Sequence, residues 1–482
     1  MVDRGSTGLR RNAVGSAHIV FFVVAAAAPL TAVVGPSTAA FAFGTGPGVP
    51  AAFLLVGAFY LLFSVGFTAM SRFIATSSGF YAYVAQGLGR EAGVATAVMA
   101  LASYQAIAVG AYGLLGFFAH QAAMDLFQLN LPWWLASIVA AGIVHWCGRR
   151  AVTFSGWVLA VCMACEVAVL IALGAAILGR EGLGAAPAAA SSFSHLFGPG
   201  LGVTLVFVVS SFIGFEATVI FGEEARDPKR TIPRATYAAV LLIALFYAFS
   251  TWTILIHYGA GNVAAVAKAN PGGFYLDVIS ALLGGPARIA ADLLLLTSVF
   301  ACVLSFHATI ARYLSSMAHE KLCHSSLAAV HPVHLSPHVA GLVQTLATVA
   351  AIGLGALLRL DPYGQLFAWA GAFASLGILA IQCLTSVAVL GFFRSDPRDV
   401  GFFRRVVAPL GSALGLGGAL VLSIVNLPLL SGSTSKAVMI LPLLVLAVAA
   451  AGYGMARRMR VSRPEHYARL AFSDQAVSAE IS

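Results

Sequence analysis

Long, nearly charge-free runs dominate this sequence and fix the kind of solvent in which it folds. Twelve of them follow one another, at residues 17–43, 50–71, 93–119, 133–148, 153–179, 200–222, 235–258, 287–316, 339–358, 364–391, 407–428 and 437–456. About 20 residues of helix cross a hydrocarbon core, so each run is a candidate span. Backbone groups in lipid must be paired within the segment, and barrel strands would leave short alternating segments instead of long apolar runs. The expectation is an all-α integral membrane protein with twelve transmembrane helices. Composition agrees, with 9% charged residues where a soluble domain carries about 25%.

Basic residues orient such a chain, because loops rich in Lys and Arg stay on the cytoplasmic side. With the N-terminus inside, 22 of the 27 Lys and Arg residues fall inside and only Arg180, Lys268, Arg288, Arg359 and Lys436 fall outside. Both termini are therefore expected in the cytoplasm, at the cell membrane. The same alternation argues against a cleaved signal peptide in residues 1–43, since losing that span would invert every loop after it. The net charge of +9 then reflects topology and gives no support to nucleic-acid binding.

The expected division is a polar tail at 1–16, one membrane domain at 17–456 and a second polar tail at 457–482. The cysteines all fall in spans or cytoplasmic loops, so no extracellular disulfide framework is expected. Cys162 and Cys165 form a C-x-x-C, but within uninterrupted helix and without a second pair, which reads as packing. No G-x-x-x-x-G-K-[ST] motif occurs, so no nucleotide powers the chain, and no cofactor is expected.

Two spans carry break signals. The first is interrupted by Pro29 and by Val34-Gly35-Pro36-Ser37-Thr38, where Pro36 lacks an N–H and crowds the carbonyl of Ala32. The sixth reads Ser210-Ser211-Phe212-Ile213-Gly214-Phe215-Glu216, a glycine flanked by hydroxyls and a carboxylate. Such residues also serve plain helix packing, but their matching places suggest a repeat: residues 17–179 would form one set of five spans and 200–391 an inverted second set, with extra helices at 407–456. Half-helices beginning near Ser37 and Phe215 would aim their N-termini at one midplane point, suiting a substrate carboxylate. Freed carbonyls near Ala32 to Val34 and Ser210 to Phe212 would suit an ammonium group. The candidate substrate-binding set is Val34, Gly35, Pro36, Ser37, Thr38, Ser211, Phe212, Gly214, Phe215 and Glu216.

Three acids lie within spans, Glu166, Glu216 and Asp292. An ionised acid at midplane costs on the order of 3 kcal/mol on insertion scales, so each should face a cavity or a partner. Glu216 directly follows the break and is the first candidate for a substrate or coupling role. His307 titrates near neutral pH when unperturbed, yet a lone histidine in a span also serves packing. The loop residues His319, His324, His331, His334 and His338 are numerous, but Pro332 and Pro337 interrupt any aligning helix and no further ligands complete a metal set.

Gly214-Phe215-Glu216 followed by Gly222-Glu223-Glu224-Ala225-Arg226-Asp227-Pro228-Lys229-Arg230-Thr231-Ile232-Pro233-Arg234-Ala235 resembles the sixth span and following loop of the amino acid, polyamine and organocation transporter superfamily. Ser78-Gly79-Phe80-Tyr81-Ala82-Tyr83 and Ala311-Arg312-Tyr313 are similar to that family too. The resemblance implies a LeuT-type five-plus-five inverted repeat with two C-terminal helices and alternating access around spans one and six. It departs from the family at Gly35-Pro36-Ser37-Thr38, where a glycine-small-glycine pattern is usual. It also lacks the span-five lysine that some proton-coupled relatives carry where sodium would sit. By the same resemblance, Ser305 and His307 lie where span eight faces span one, so the ion-coupling candidates are Glu216, Ser305 and His307.

The sequence thus points to a permease, a symporter and not an enzyme, moving a small molecule, an amino acid, through the lipid bilayer with a coupling proton or sodium ion. A polyamine or organic cation is the alternative substrate, and a substrate-sensing membrane protein the alternative class.

Overall fold

A computed structural model describes residues 28–74, 79–150, 153–182, 187–216, 218, 227–427 and 438–470. The first part of the acidic and basic motif after Glu216, residues 222–226, together with Ser78, Lys436, the start of the first span and both chain ends, lies outside the described residues.

Helices account for the fold because nothing else pairs the backbone of such apolar runs. They are α1 (Pro29–Phe43), α2 (Val49–Ser71), α3 (Phe80–Leu88), α4 (Arg90–Phe127), α5 (Trp133–Arg149), α6 (Thr153–Glu181), α7 (Pro187–Leu196) and α8 (Leu201–Ser210). After the sixth-span break come α9 (Pro228–Tyr258), α10 (Val263–Ala269), α11 (Gly273–Leu283), α12 (Gly285–His319), α13 (His338–Leu357), α14 (Ala368–Ser395), α15 (Ala408–Val425), α16 (Leu441–Ser462) and α17 (Pro464–Arg469).

Nine helices among the described residues are long and apolar enough to cross a membrane. The three other expected spans are present among the described residues as shorter helices. Pro29–Phe43 and Leu201–Ser210 are the described helices of the first and sixth, and the 17 residues of Trp133–Arg149 reach about 26 Å at 1.5 Å per residue.

The 38-residue α4 is the central post. It packs against α3, α5, α12, α14 and α16, while α9 lies along α2 and α14 along α15. Small residues set these approaches: a side chain at Gly87 on α3 would run into the Ala388 backbone of α14, a contact only a glycine permits. Apolar side chains left on the outside, such as Leu443 and Leu446 on α16, suit a lipid face.

Residues 457–470, part of the expected polar tail, are largely helical. Helix α16 runs on to Ser462 and α17 follows, and Arg90 at the start of α4 donates to the carbonyl of Ala468 at 2.8 Å. Arg460 pairs with Glu91 at 3.1 Å.

Candidate functional site

Among the described residues the irregular backbone of the first span lies at Ala28 and not at Pro36. Ala28 is left-handed, with φ 43°, and Pro29 opens α1. Proline suits the first helical position because it needs no N–H there. Pro36, by contrast, sits inside a π-helical turn, Val33–Ser37, and the helix runs on through Thr38–Phe43. The wider turn absorbs the missing hydrogen bond without opening the chain.

The carbonyls expected to be free there are occupied. The Ser37 hydroxyl donates to the Val33 carbonyl, and that of Thr38 donates to Val34 at 2.6 Å. Tyr363, from the turn leading into α14, donates to the Gly35 carbonyl at 3.0 Å. The Tyr275 hydroxyl of α11 lies 2.9 Å from Ser37 Oγ. Hydroxyls one turn ahead, and Tyr363 from outside α1, thus satisfy backbone that the proline disturbs, while Tyr275 holds the Ser37 hydroxyl. The expected half-helix start near Ser37 is therefore corrected to Pro29.

The sixth span does break. Helix α8 ends at Ser210 and residues 211–216 form turns, with Gly214 at φ 115°, a conformation that favours glycine. Glu216 closes the break on itself. Its Oε2 accepts the Gly214 N–H at 3.0 Å, and its Oε1 accepts the Tyr104 hydroxyl of α4 at 2.8 Å. The side chain is 1% exposed. Phe212 and Phe215 point away into an aromatic cluster, Phe212 stacking on Tyr60 at 4.9 Å and Phe215 meeting Tyr60 edge-on at 5.0 Å.

Between the two interruptions lies a cavity of about 40 Å3. Of the sequence candidates, Pro36 and Ser211 line it. Val34, Gly35, Ser37, Thr38, Phe212, Gly214, Phe215 and Glu216 stand behind this wall. Ser210 and Ala32, named for their carbonyls, line it too; sequence reasoning missed Thr31, Cys302 and Phe306, which line it beside Ala28, Ile107, Ala111, Leu114, Ile213 and Phe367. Thr31 Oγ1 is buried with no hydrogen-bond partner among the described residues. Such a group is costly to leave unpaired, so it marks a place for a ligand or water. Pro29 as a helix start was the signal that could have found Thr31.

The ion-coupling candidates separate. His307 is packed among α5, α12 and α13: its Nδ1 bonds Gln344 Oε1, and its ring lies 6.2 Å from that of His145. Gly148 and Gly341 leave room for the imidazole. The resemblance-based placement of His307 against span one is therefore corrected. Ser305 is buried, two turns along α12 from Ser298. Ser298 is the residue that reaches span one, its Oγ accepting the Thr31 N–H at 3.3 Å.

Asp292, the third acid, belongs to an ion cluster at one end of the bundle. Arg288 pairs with Asp125 of α4 at 3.1 Å, Asp277 of α11 at 2.6 Å and Asp292 at 3.1 Å. This cluster borders an open cavity of about 690 Å3 shared with His120, Asn270 and Asp361. Among the described residues no group of three or more metal-ligating side chains comes together.

Membrane-length helices around a broken span and a small, mostly apolar cavity with a few hydroxyls in its wall fit a multi-pass membrane protein of the transporter type. A sequence profile of the amino acid permease family matches residues 18–460, and the chain belongs to that family. It is 29% identical over 326 residues to an uncharacterized transporter of Mycobacterium bovis, covering 67% of this chain and 65% of that protein's length. The chain thus spans about two thirds of the relatives it matches first. A γ-aminobutyric acid permease of Escherichia coli is 25% identical over 76% of the chain and 78% of its own length. A branched-chain amino acid permease of Bacillus subtilis is 28% identical over 39% of the chain and 38% of its own length. The family and these relatives are transporters and not enzymes.

Proposed function

We propose that this protein is a secondary active transporter that carries an amino acid with a small or branched apolar side chain across the cell membrane by alternating access. The observation that carries the reading is the buried cavity between α1, α4, the sixth-span turn, α12 and α14, with the unpartnered Thr31 hydroxyl in its wall. Thr31, Ser210 and Ser211 supply polar contacts at one side, and Ala32, Ala111, Leu114 and Ile213 supply an apolar side. A few placed polar groups in an apolar pocket are what orients a small ligand.

The amino acid permeases among the relatives support an amino acid over a polyamine. So does Glu216, the carboxylate that would have to meet a second amine, because both its oxygens are engaged by Tyr104 and Gly214. In this reading twelve spans form a five-plus-five inverted repeat over residues 17–179 and 200–391 with extra helices at 407–456, and both termini are cytoplasmic. The ion cluster around Arg288 then lies on the outer side, and α17 on the inner. An inward proton gradient drives accumulation, and the buried carboxylates are its available carriers.

The test is uptake of radiolabelled L-leucine, L-valine and γ-aminobutyrate into proteoliposomes holding the full chain, with an imposed proton gradient. Saturable accumulation of an amino acid supports the reading. Saturable binding with neither uptake nor counterflow would replace it with a substrate sensor.

A further inference from the structure

We infer that Glu166 is the proton-linked positioning residue of this transporter, a carboxylate that clamps the first turn of α1 when ionised and releases it when protonated. The inference rests on the transport reading and adds to it the residue and the movement that coupling uses.

The first amides of a helix have no acceptor within it. In α1 those of Leu30 and Thr31 are served from other helices. Leu30 N–H reaches Glu166 Oε2 of α6 at 3.4 Å. Thr31 N–H reaches Ser298 Oγ of α12 at 3.3 Å, and that hydroxyl donates to the same Glu166 Oε2 at 2.6 Å. One carboxylate oxygen therefore holds two successive amides of α1, one directly and one through a serine. No hydrogen bond to the other oxygen occurs among the described residues, so it is available to a proton.

Among the described residues, the surroundings contain no competing charge. Glu166 is 2% exposed, and among the described residues it makes no ion pair. Tyr247 of α9 and Cys302 of α12 are the titratable side chains near enough to feel its charge. Those of α11 are committed elsewhere, Tyr275 to Ser37 and Asp277 to Arg288. From α1 come only backbone amides and the positive end of the helix, which favours the ionised acid. Without a counter-ion, the balance between charged and neutral forms depends on those amides staying in place.

Protonation forms an O–H on the carboxyl, removes its charge and weakens its hold on both donors, since charge-assisted hydrogen bonds are roughly twice as strong as neutral ones. The turn so loosened bears Ala28, Thr31 and Ala32, which are wall residues of the cavity. Proton binding and substrate access thus act on one piece of backbone. Glu216 has no such position, because its two oxygens are bound to α4 and to its own turn.

The experiment compares wild type, Glu166→Gln and Ser298→Ala, each as the full chain in proteoliposomes, using radiolabelled L-leucine or whichever amino acid the wild type accumulates. In Glu166→Gln, accumulation driven by a proton gradient falls about 5- to 150-fold, the span of ordinary coupling energies. The counterflow that remains no longer changes over about pH 5 to 8, where a coupled group must titrate. In Ser298→Ala, accumulation survives and the pH midpoint of uptake moves, because one of the two donors to Oε2 is gone.

Should Glu166→Gln fail to fold, as judged by the loss of a monodisperse elution peak, the midpoint in Ser298→Ala decides alone. An unmoved midpoint there, or gradient-driven accumulation at the wild-type level in Glu166→Gln, overturns the inference while leaving transport intact. Absence of uptake and counterflow in the wild type overturns the transport reading instead.

Discussion

Tyr104 and Glu216 are 112 positions apart in sequence, yet the tyrosine hydroxyl donates to the glutamate Oε1 at 2.8 Å in a fully buried setting. With the Gly214 N–H on Oε2, this bond ties the central post α4 to the broken sixth span. The carboxylate therefore serves the fold of the break before it can serve a substrate.

Tyr104→Phe should lower the thermal unfolding midpoint of the purified protein and slow uptake. It leaves one oxygen of a buried carboxylate without its donor, at a cost on the order of 1–3 kcal/mol. Wild-type melting together with wild-type uptake would show that the bond contributes nothing.

Glu216→Gln should reduce stability by a similar amount, because one of two converging donors then meets an amide NH2 instead of an acceptor. Whatever uptake remains should keep its response to pH, in contrast with Glu166→Gln. A pH-independent Glu216→Gln would return coupling to the sixth span.

Gly35→Leu should abolish uptake while the protein still inserts. Even a Cβ at Gly35 would come within 3.1 Å of Leu114 Cδ1, and a larger side chain would push into the π turn and the cavity wall behind it. Gly35→Ala, asking only a small shift of a flexible leucine, should retain part of the rate. Equal kinetics in Gly35→Leu and wild type would remove this turn from the site.

Amino acid amides and decarboxylated amines should compete with the transported amino acid far less well than its own close analogues, since polar groups left unpaired in a closed site are penalised. A diamine that inhibits as strongly as the parent amino acid would move the substrate class to polyamines.

Arg288→Gln should destabilise the protein by about 1–3 kcal/mol, below the 3–5 typical of a fully buried pair because this cluster is partly solvated. Three carboxylates, Asp125, Asp277 and Asp292, would lose their shared cation. Because the cluster joins α4, α11 and α12, accessibility of a cysteine placed at Asn130, in the cavity beside it, should rise in that variant. Unchanged labelling would mean that these helices stay together without the arginine.

The membrane class was legible from run length and charge, because lipid imposes a rule on every residue of a span. The sixth-span break was legible too, since Gly214 next to Glu216 is an unusual pair in an apolar helix. The first-span break was expected at Pro36, where the helix in fact continues, because a proline in mid-helix and a proline at a helix start look alike in sequence. Which one interrupts depends on whether hydroxyls such as those of Ser37 and Thr38 find the freed carbonyls. Glu166 showed no partner in sequence, because its partners are a backbone amide more than 130 residues away and a serine on a third helix. Contacts made by backbone carry no residue signature.

A cavity of about 40 Å3 is far below the roughly 300 Å3 at which ligand pockets begin. The described conformation is therefore too narrow for an amino acid, and binding in the proposed transport cycle needs a conformation whose cavity is wider. An apparent dissociation constant is the intrinsic one divided by the fraction in that wider conformation, so a population of about one in a hundred weakens binding about a hundredfold. Substitutions that stiffen helix contacts remote from the cavity will then raise the half-saturation concentration for every substrate by the same factor. The order of preference among substrates, fixed by the walls alone, will stay as it was.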